Sequence, residues 1–189
     1  MPQIIKNTTV DTILGRRSIR KFKPDQISED QLETILACGL SAPSGMNLQS
    51  WHLVVIQDKP LLDEISAEAV KQIKKNPPLP PILVERLKDP NYTVFFNAPT
   101  DILVCYETAR GPLNSGLLAE NMVIAAHSLG LGTCYVGGVL AFLNSPDGAA
   151  YLEKLKIPEG YTPAFFISVG YPTEQLDPRP VDFSKVTRI

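Results

Sequence analysis

Apolar residues recur at helical spacing in four stretches of this chain and run together, strand-like, in three. In the first helical stretch Val10, Ile13 and Leu14 face inward, with Thr8 or Thr9 as the cap and Gly15 as the stop. The second starts at Ser28, which stands in capping-box spacing to Gln31, and carries Leu32, Ile35, Leu36 and Leu40. Pro60 opens the third, with Leu61, Ile65, Ala69 and Ile73 on one face. The fourth and longest holds Leu113, Leu117, Leu118, Met122, Ala125, Ala126 and Leu129. Its broad apolar arc places it at the centre of the fold or of a dimer, and Gly130 and Gly132 end it. Residues 52–57 (HLVVIQ), 101–106 (DILVCY) and 164–169 (AFFISV, closed by Gly170) read as buried strands.

Strands and long helices do not alternate as in a doubly wound fold. The pattern predicts an α+β domain, with helices packed on a small mixed or antiparallel sheet. No repeat or linker divides it, so a single domain over residues 1–189 is expected. Residues 76–90 contain five prolines and read as a surface excursion or lid, with room for a short helix over 82–88. The tail, with Pro172, Pro178 and Pro180, reads as extended and not helical.

Composition narrows the function classes. The apolar fraction of 44% is that of a globular protein. A net charge of −2 gives no global field that would favour nucleic acid or a membrane surface. No stretch approaches the roughly 18 apolar residues of a spanning helix. The nearest, residues 117–140, is broken by Glu120, Asn121 and His127. No apolar run of secretory type opens the chain, and a cytoplasmic protein is the simplest reading. Cys38, Cys105 and Cys134 are scattered, and the two histidines, His52 and His127, form no cluster with them. The expectation is no metal site, with the cysteines packed in the core. No Ser/His/Asp or Cys/His constellation for nucleophilic catalysis is apparent either.

Two short segments carry the candidate chemistry. Residues 16–23 (RRSIRKFK) place five cations in eight positions. Such a run reads as a solvated face, a localisation signal, a nucleic-acid patch or an anion site. Three features favour the anion site. Arginine, whose fork suits phosphate, dominates; Ser18 adds a hydroxyl; and Ile19 and Phe22 are spaced to anchor the segment to a core. Residues 42–51 (APSGMNLQSW) gather Ser44, Asn47, Gln49 and Ser50 in one turn, a set suited to a polyol or heterocycle. Further on, Gly137 and Gly138 either let backbone approach a ligand or simply make a turn. They belong to no dinucleotide fingerprint, because Tyr135 stands where that motif needs glycine.

In order and spacing, these segments resemble the nitroreductase family of FMN-dependent oxidoreductases over nearly the whole chain. The strand at 97–104 (NAPTDILV), the helix and turn at 116–138 (GLLAENMVIAAHSLGLGTCYVGG) and the strand at 165–172 (FFISVGYP) complete the likeness. The resemblance implies an intertwined homodimer with FMN at the subunit interface. It places Arg16, Arg17, Ser18 and Arg20 around the flavin phosphate, ribityl chain and pyrimidine edge. Pro43, Ser44 and Asn47 would come from the partner, the backbone of Val136, Gly137 and Gly138 would lie beside the ring, and Arg179 would close on the phosphate. No side chain is then needed as nucleophile or base, and Arg20 would stabilise reduced FMN. The implied activity is a ping-pong cycle that carries hydride from NAD(P)H through flavin N5 to nitro compounds, quinones or a related small acceptor. The alternatives are a specialised relative (dehalogenation, flavin breakdown or substrate dehydrogenation) and a flavin-binding protein without turnover. The chain departs from the family pattern at Ser50, where proline is usual, and at Val181, where a second tail cation is usual and Lys185 would have to substitute. Residues 76–90 fall where the family varies its substrate cover.

Overall fold

The computed structural model describes residues 4–189, and the first three positions of the expected span lie outside the described residues. The chain runs α1 (Thr8–Gly15), α2 (Glu29–Leu40), β1 (Trp51–Ile56), α3 (Lys59–Lys74), α4 (Pro81–Arg86), β2 (Thr100–Glu107), α5 (Leu113–Ser128), β3 (Gly132–Val136), α6 (Leu140–Leu143), α7 (Ala149–Lys154) and β4 (Tyr161–Gly170). Four strands form one sheet in the order β1-β2-β4-β3, and every pairing is antiparallel. The expected α+β class and small antiparallel sheet are both present.

Side chains alternate across a strand, so each central strand feeds two cores. Ile102, Val104, Ile167 and Val169 face α2 and α5, where they meet Leu32, Ile35, Leu118, Met122 and Ala126. Leu103, Cys105 and Phe166 face the other way, onto Ile65, Ala69 and Ile73 of α3 and onto Phe142 and Leu143 of α6. Helices therefore cover both faces, which is why β2 reads as an unbroken apolar run and not as an alternation.

The helix ends follow the local chemistry. Ser28 Oγ accepts from the Gln31 N–H at 3.2 Å while Gln31 Oε1 accepts from the Ser28 N–H at 3.0 Å, completing the capping box. Asp58 caps α3, and Pro60 sits in its first turn. The cap of α1 is Asn7, not Thr8 or Thr9, because the extended Asn7 presents its side-chain oxygen to the Val10 N–H at 2.9 Å. Nor does α1 bury Val10, Ile13 and Leu14 as expected. It rests chiefly on α5, and none of its residues is fully buried, with Val10 and Leu14 half-buried and Ile13 exposed. Leu40 is exposed for a similar reason, at the open end of α2.

Other expectations need correction. At 16 residues each, α3 and α5 are equally long. Gly130 does end α5, in a left-handed conformation, but Gly132 opens β3. The 76–90 segment is the surface excursion expected, mostly exposed, with its helix shifted by a residue or two and its leucines turned inward. Its helix is Pro81–Arg86, and Leu79, Leu83 and Leu87 pack half-buried against the α3 core. Cys105 and Cys134 are core residues, whereas Cys38 is half-exposed. The tail is extended apart from one short turn at Phe183–Lys185.

Candidate active site

Leaving α1, the basic segment becomes an extra rung on the sheet. Ser18 bridges Thr133 of β3 in parallel, and the Ile19 N–H donates to the Thr133 carbonyl at 2.9 Å. On its other side the start of the tail runs antiparallel, with Phe22 bridging Pro172 and the Thr173 N–H donating to the Lys21 carbonyl at 2.9 Å. Two glycines make the close approach possible. A Cβ on Gly132 would lie 2.8 Å from Ile19 Cγ2, and one on Gly170 would lie 3.1 Å from the Phe22 ring. Ile19 and Phe22 are thus the anchors that their spacing predicts.

This pinning spreads the cations over fixed positions. Arg16 is half-buried with its Nε 3.5 Å from a Glu120 carboxylate oxygen, too far to satisfy that N–H, which has no hydrogen-bond partner. Arg17 donates to the Asp177 carbonyl, tying the tail in beside it. Arg179, two residues further on, is exposed. Arg20 receives a carboxylate oxygen of Glu174 on its backbone N–H at 2.6 Å, and one guanidinium N–H donates to the Ser18 carbonyl at 3.2 Å. A cavity of about 660 Å³ opens beside Arg17 and Ile19, between α5 and the tail. His127 lines it, and burial, aided by the Arg16 charge, lowers its pKa and keeps its imidazole neutral at pH 7.

Val136, Gly137 and Gly138 close β3, on the same strand that carries the basic segment. A Cβ on Gly137 would meet nothing within 4 Å, so the space above it is open. Among the described residues, neither glycine N–H donates to a turn, loop or side-chain acceptor.

Pro43, Ser44 and Asn47 lie elsewhere. They belong to the turn before β1, where Met46, Asn47 and Gln49 all take positive φ. Ser44 Oγ accepts from the Gln49 N–H, and Asn114 bridges the turn, accepting from the Gly45 N–H and donating to Ser50 Oγ. β1 and β3 are the two edges of the sheet. Trp51 is level with Thr162 on β4 and Thr133 with Val169. The basic segment lies one rung outside β3, so it and the turn are separated by four strand spacings, about 19 Å, and by about 24 Å along the strands. Within one chain they cannot touch one small ligand.

The sequence profile of the Nitroreductase family matches residues 13–171. The chain belongs to the nitroreductase family. An NADPH-flavin oxidoreductase of Vibrio harveyi is 30% identical over 174 residues, spanning 92% of this chain and 70% of that protein. A nitroreductase with bound FMN from Desulfitobacterium hafniense superposes with a TM-score of 0.88 at 28% identity, over 98% of this chain and 100% of that one. Another nitroreductase with bound FMN, from Bacteroides fragilis, gives 0.86 at 29% identity, over 97% and 100% of the two chains.

The residues present in this nitroreductase fit FMN. The unsatisfied Arg16 Nε and the Ser18 hydroxyl, which donates to no protein acceptor among the described residues, match a phosphate. The open ledge over Gly137, with two free N–H groups, matches a planar ring whose edge accepts hydrogen bonds.

Further groups gather here without a sequence motif. Arg86 from α4 and the ring of Phe96 meet Arg20, with Tyr92 and Cys134 alongside. Their sequence separations are long, and only the fold of the proline-rich segment unites them. Among the described residues no group of His, Cys, Asp and Glu could hold a metal, and no helix is long and apolar enough to cross a membrane.

Proposed function

We propose that this nitroreductase is an FMN-dependent enzyme that takes hydride from NAD(P)H and reduces a nitro compound, quinone or related small acceptor. The observation that carries the reading is the basic segment fixed edge-on to β3, with an unsatisfied buried guanidinium nitrogen at one end and the open glycine ledge beside it. Bound FMN would supply the hydride chemistry between NAD(P)H and the acceptor.

The chain's own residues bind and orient. Arg16, Arg17 and Ser18 hold the phosphate, Arg179 closes over it from the tail, and Arg20 sets a fixed positive charge at the pyrimidine edge, where negative charge accumulates on reduction. The backbone of Val136, Gly137 and Gly138 would lie against the ring. None of these groups needs to accept or release a proton.

The reading also calls for a homodimer of single-domain subunits in which Pro43, Ser44 and Asn47 reach the partner's flavin. Its support is the separation of the two motifs within one chain and the uncovered apolar surface of α1, α2 and α5. Ile13, Leu40, Leu117 and Leu129 are all exposed there. A groove of about 520 Å³ between α2 and α5 continues this surface past Ala37, Ile124 and Ala125. Three free cysteines accord with a cytoplasmic location.

The deciding experiment is an anaerobic absorbance spectrum of the purified protein before and after NADH or NADPH. A flavin band that bleaches with either donor and returns on adding a nitroarene or quinone is expected. A protein that neither carries nor takes up FMN would end the proposal, and a flavin band untouched by both donors would end its NAD(P)H step.

A further inference from the structure

A carboxylate stands where the site calls for a free cation. Glu120, on α5, lies between the basic segment and β3. One of its oxygens is 3.5 Å from Arg16 Nε, and the other accepts from the Tyr135 hydroxyl at 3.5 Å. Tyr135 is the β3 residue that precedes Val136 and the glycine ledge, and its ring packs edge-on against Phe165 at 5.3 Å. Of the three arginines in the basic segment, Arg16 alone has a carboxylate within salt-bridge distance among the described residues.

Charge holds this carboxylate more than bonding does. A charge-assisted hydrogen bond closes to about 2.8 Å from nitrogen and about 2.6 Å from a hydroxyl. Both contacts of Glu120 are longer, and the Arg16 Nε proton stays unshared. The Glu120 side chain is 47% exposed and that of Arg16 only 23%, so of the two it is the carboxylate that has room to move.

The neighbouring titratable groups carry no charge that would alter this balance. Burial, aided by the Arg16 charge, keeps His127 neutral at pH 7. Burial, followed by the Glu120 charge, pushes the Tyr135 phenol up, so it is neutral as well. One guanidinium and one carboxylate remain, and their charges cancel at the end of the segment where a phosphate needs a cation. An anion drawn to Arg16 is repelled by Glu120 at a similar range.

We propose that Glu120 is a resident counter-ion that competes with the flavin phosphate for Arg16 and so sets how tightly the subunit retains its cofactor. The inference rests on the reading of the basic segment as the phosphate site of an FMN enzyme. A phosphate monoester brings up to about two negative charges where Glu120 brings one, so it takes the guanidinium, but against a repulsion that riboflavin, which has no phosphate, does not meet. A monoanion gains nothing by the exchange. Glu120 also neutralises a half-buried guanidinium that would otherwise stand unpaired.

The test is a fluorescence titration of FMN and of riboflavin, at low ionic strength, on the native protein, Glu120→Gln and Glu120→Asp. Glutamine keeps the shape and removes the charge, whereas aspartate keeps the charge. Glu120→Gln should bind FMN about tenfold more tightly than the native protein and change riboflavin by less than about twofold. Glu120→Asp should stay within about threefold of the native protein for both flavins, and the gain in Glu120→Gln should shrink in about 0.5 M salt, which screens a half-exposed charge. Unchanged or weaker FMN binding in Glu120→Gln overturns the proposal and makes Glu120 a support for Arg16 instead of its competitor. Equal tightening of both flavins overturns it too, because an effect on the fold does not distinguish them, and so does a gain that salt leaves undiminished. A native protein that takes up neither flavin removes the flavoenzyme reading and the counter-ion with it, whereas FMN uptake that Glu120→Gln leaves unaltered refutes the counter-ion alone.

Discussion

Arg20 is held by its backbone and leaves most of its guanidinium free. Its N–H is taken by Glu174, its neighbour Ile19 is wedged over Gly132, and only one guanidinium N–H is spent, on the Ser18 carbonyl. A charge so fixed should act on the reduced flavin more than on the oxidised one. Arg20→Ala is expected to weaken FMN binding 10- to 100-fold, about 1.5–3 kcal/mol, and to lower the two-electron potential by about 30–60 mV. Fluorescence titration and potentiometry of the variant check this, and an unchanged potential would remove Arg20 from the pyrimidine edge. Asp101 makes a different residue-level prediction. It is fully buried on β2, with one oxygen accepting from Ser168 Oγ at 2.6 Å and the other unpartnered. Burial holds its pKa well above the ordinary range, against the weaker opposing pull of the Ser168 bond. The fold therefore binds a proton that the unfolded chain releases above pH ~3.9. The proton's stabilising contribution is complete below that pH and is lost as pH rises through the native value. Asp101→Asn should abolish this slope and be more stable at pH 7, by about 1–4 kcal/mol. Urea midpoints between pH 4 and 8 decide it, and parallel pH profiles for variant and parent would refute it.

At the scale of elements, the rung formed by the basic segment on β3 is the feature on which the site depends. The Gly132 Cα hydrogens face the buried Ile19 side chain, and a methyl there would lie within 3 Å of several of its carbons. Gly132→Ala is accordingly expected to cost about 1–3 kcal/mol of stability and to loosen FMN by displacing Arg16, Ser18 and Arg20 together. Denaturation and FMN titration should move in concert, and a variant that loses stability while keeping FMN affinity would uncouple the rung from the site. Here the limits of reading the sequence are physical. The α2 cap was legible because Ser28 and Gln31 satisfy each other locally, and the buried strands because their apolar runs are long. β3 was not, because four residues between glycine pairs make a strand only when β4 supplies the partner hydrogen bonds. For the same reason Gly132, which reads as a helix stop, is the contact surface of Ile19. Arg86 carried no signal at all, since its neighbours at the site are Arg20 and Phe96, brought together by the docking of a proline-rich segment that reads as solvent-exposed. The basic segment and the glycine ledge were legible because their residues lie consecutively in the chain.

For the whole molecule the governing fact is the placement of the two motifs at diagonally opposite corners of one sheet. A ligand cannot span them in a single chain, so they either serve unrelated purposes or meet across two copies. The two cases separate in mixed dimers. One population carries Arg20→Ala and the other Asn47→Ala, and each homodimer has both of its sites damaged, one at the basic segment and one at the turn. When unfolded and refolded together, the two populations exchange subunits. With sites shared between subunits, the mixed dimer collects both lesions in one site and leaves the other intact, so it should bind one FMN with the parent affinity. With each site inside a single chain, every site of the mixed dimer carries one lesion and none should bind tightly. Isolation of the mixed species with two different affinity tags, followed by FMN titration, distinguishes one tight site per dimer from none. The first result would also explain why the apolar faces of α1, α2 and α5 lie bare in a single subunit: the surface that completes the core would be the surface that delivers Asn47 to the partner's flavin.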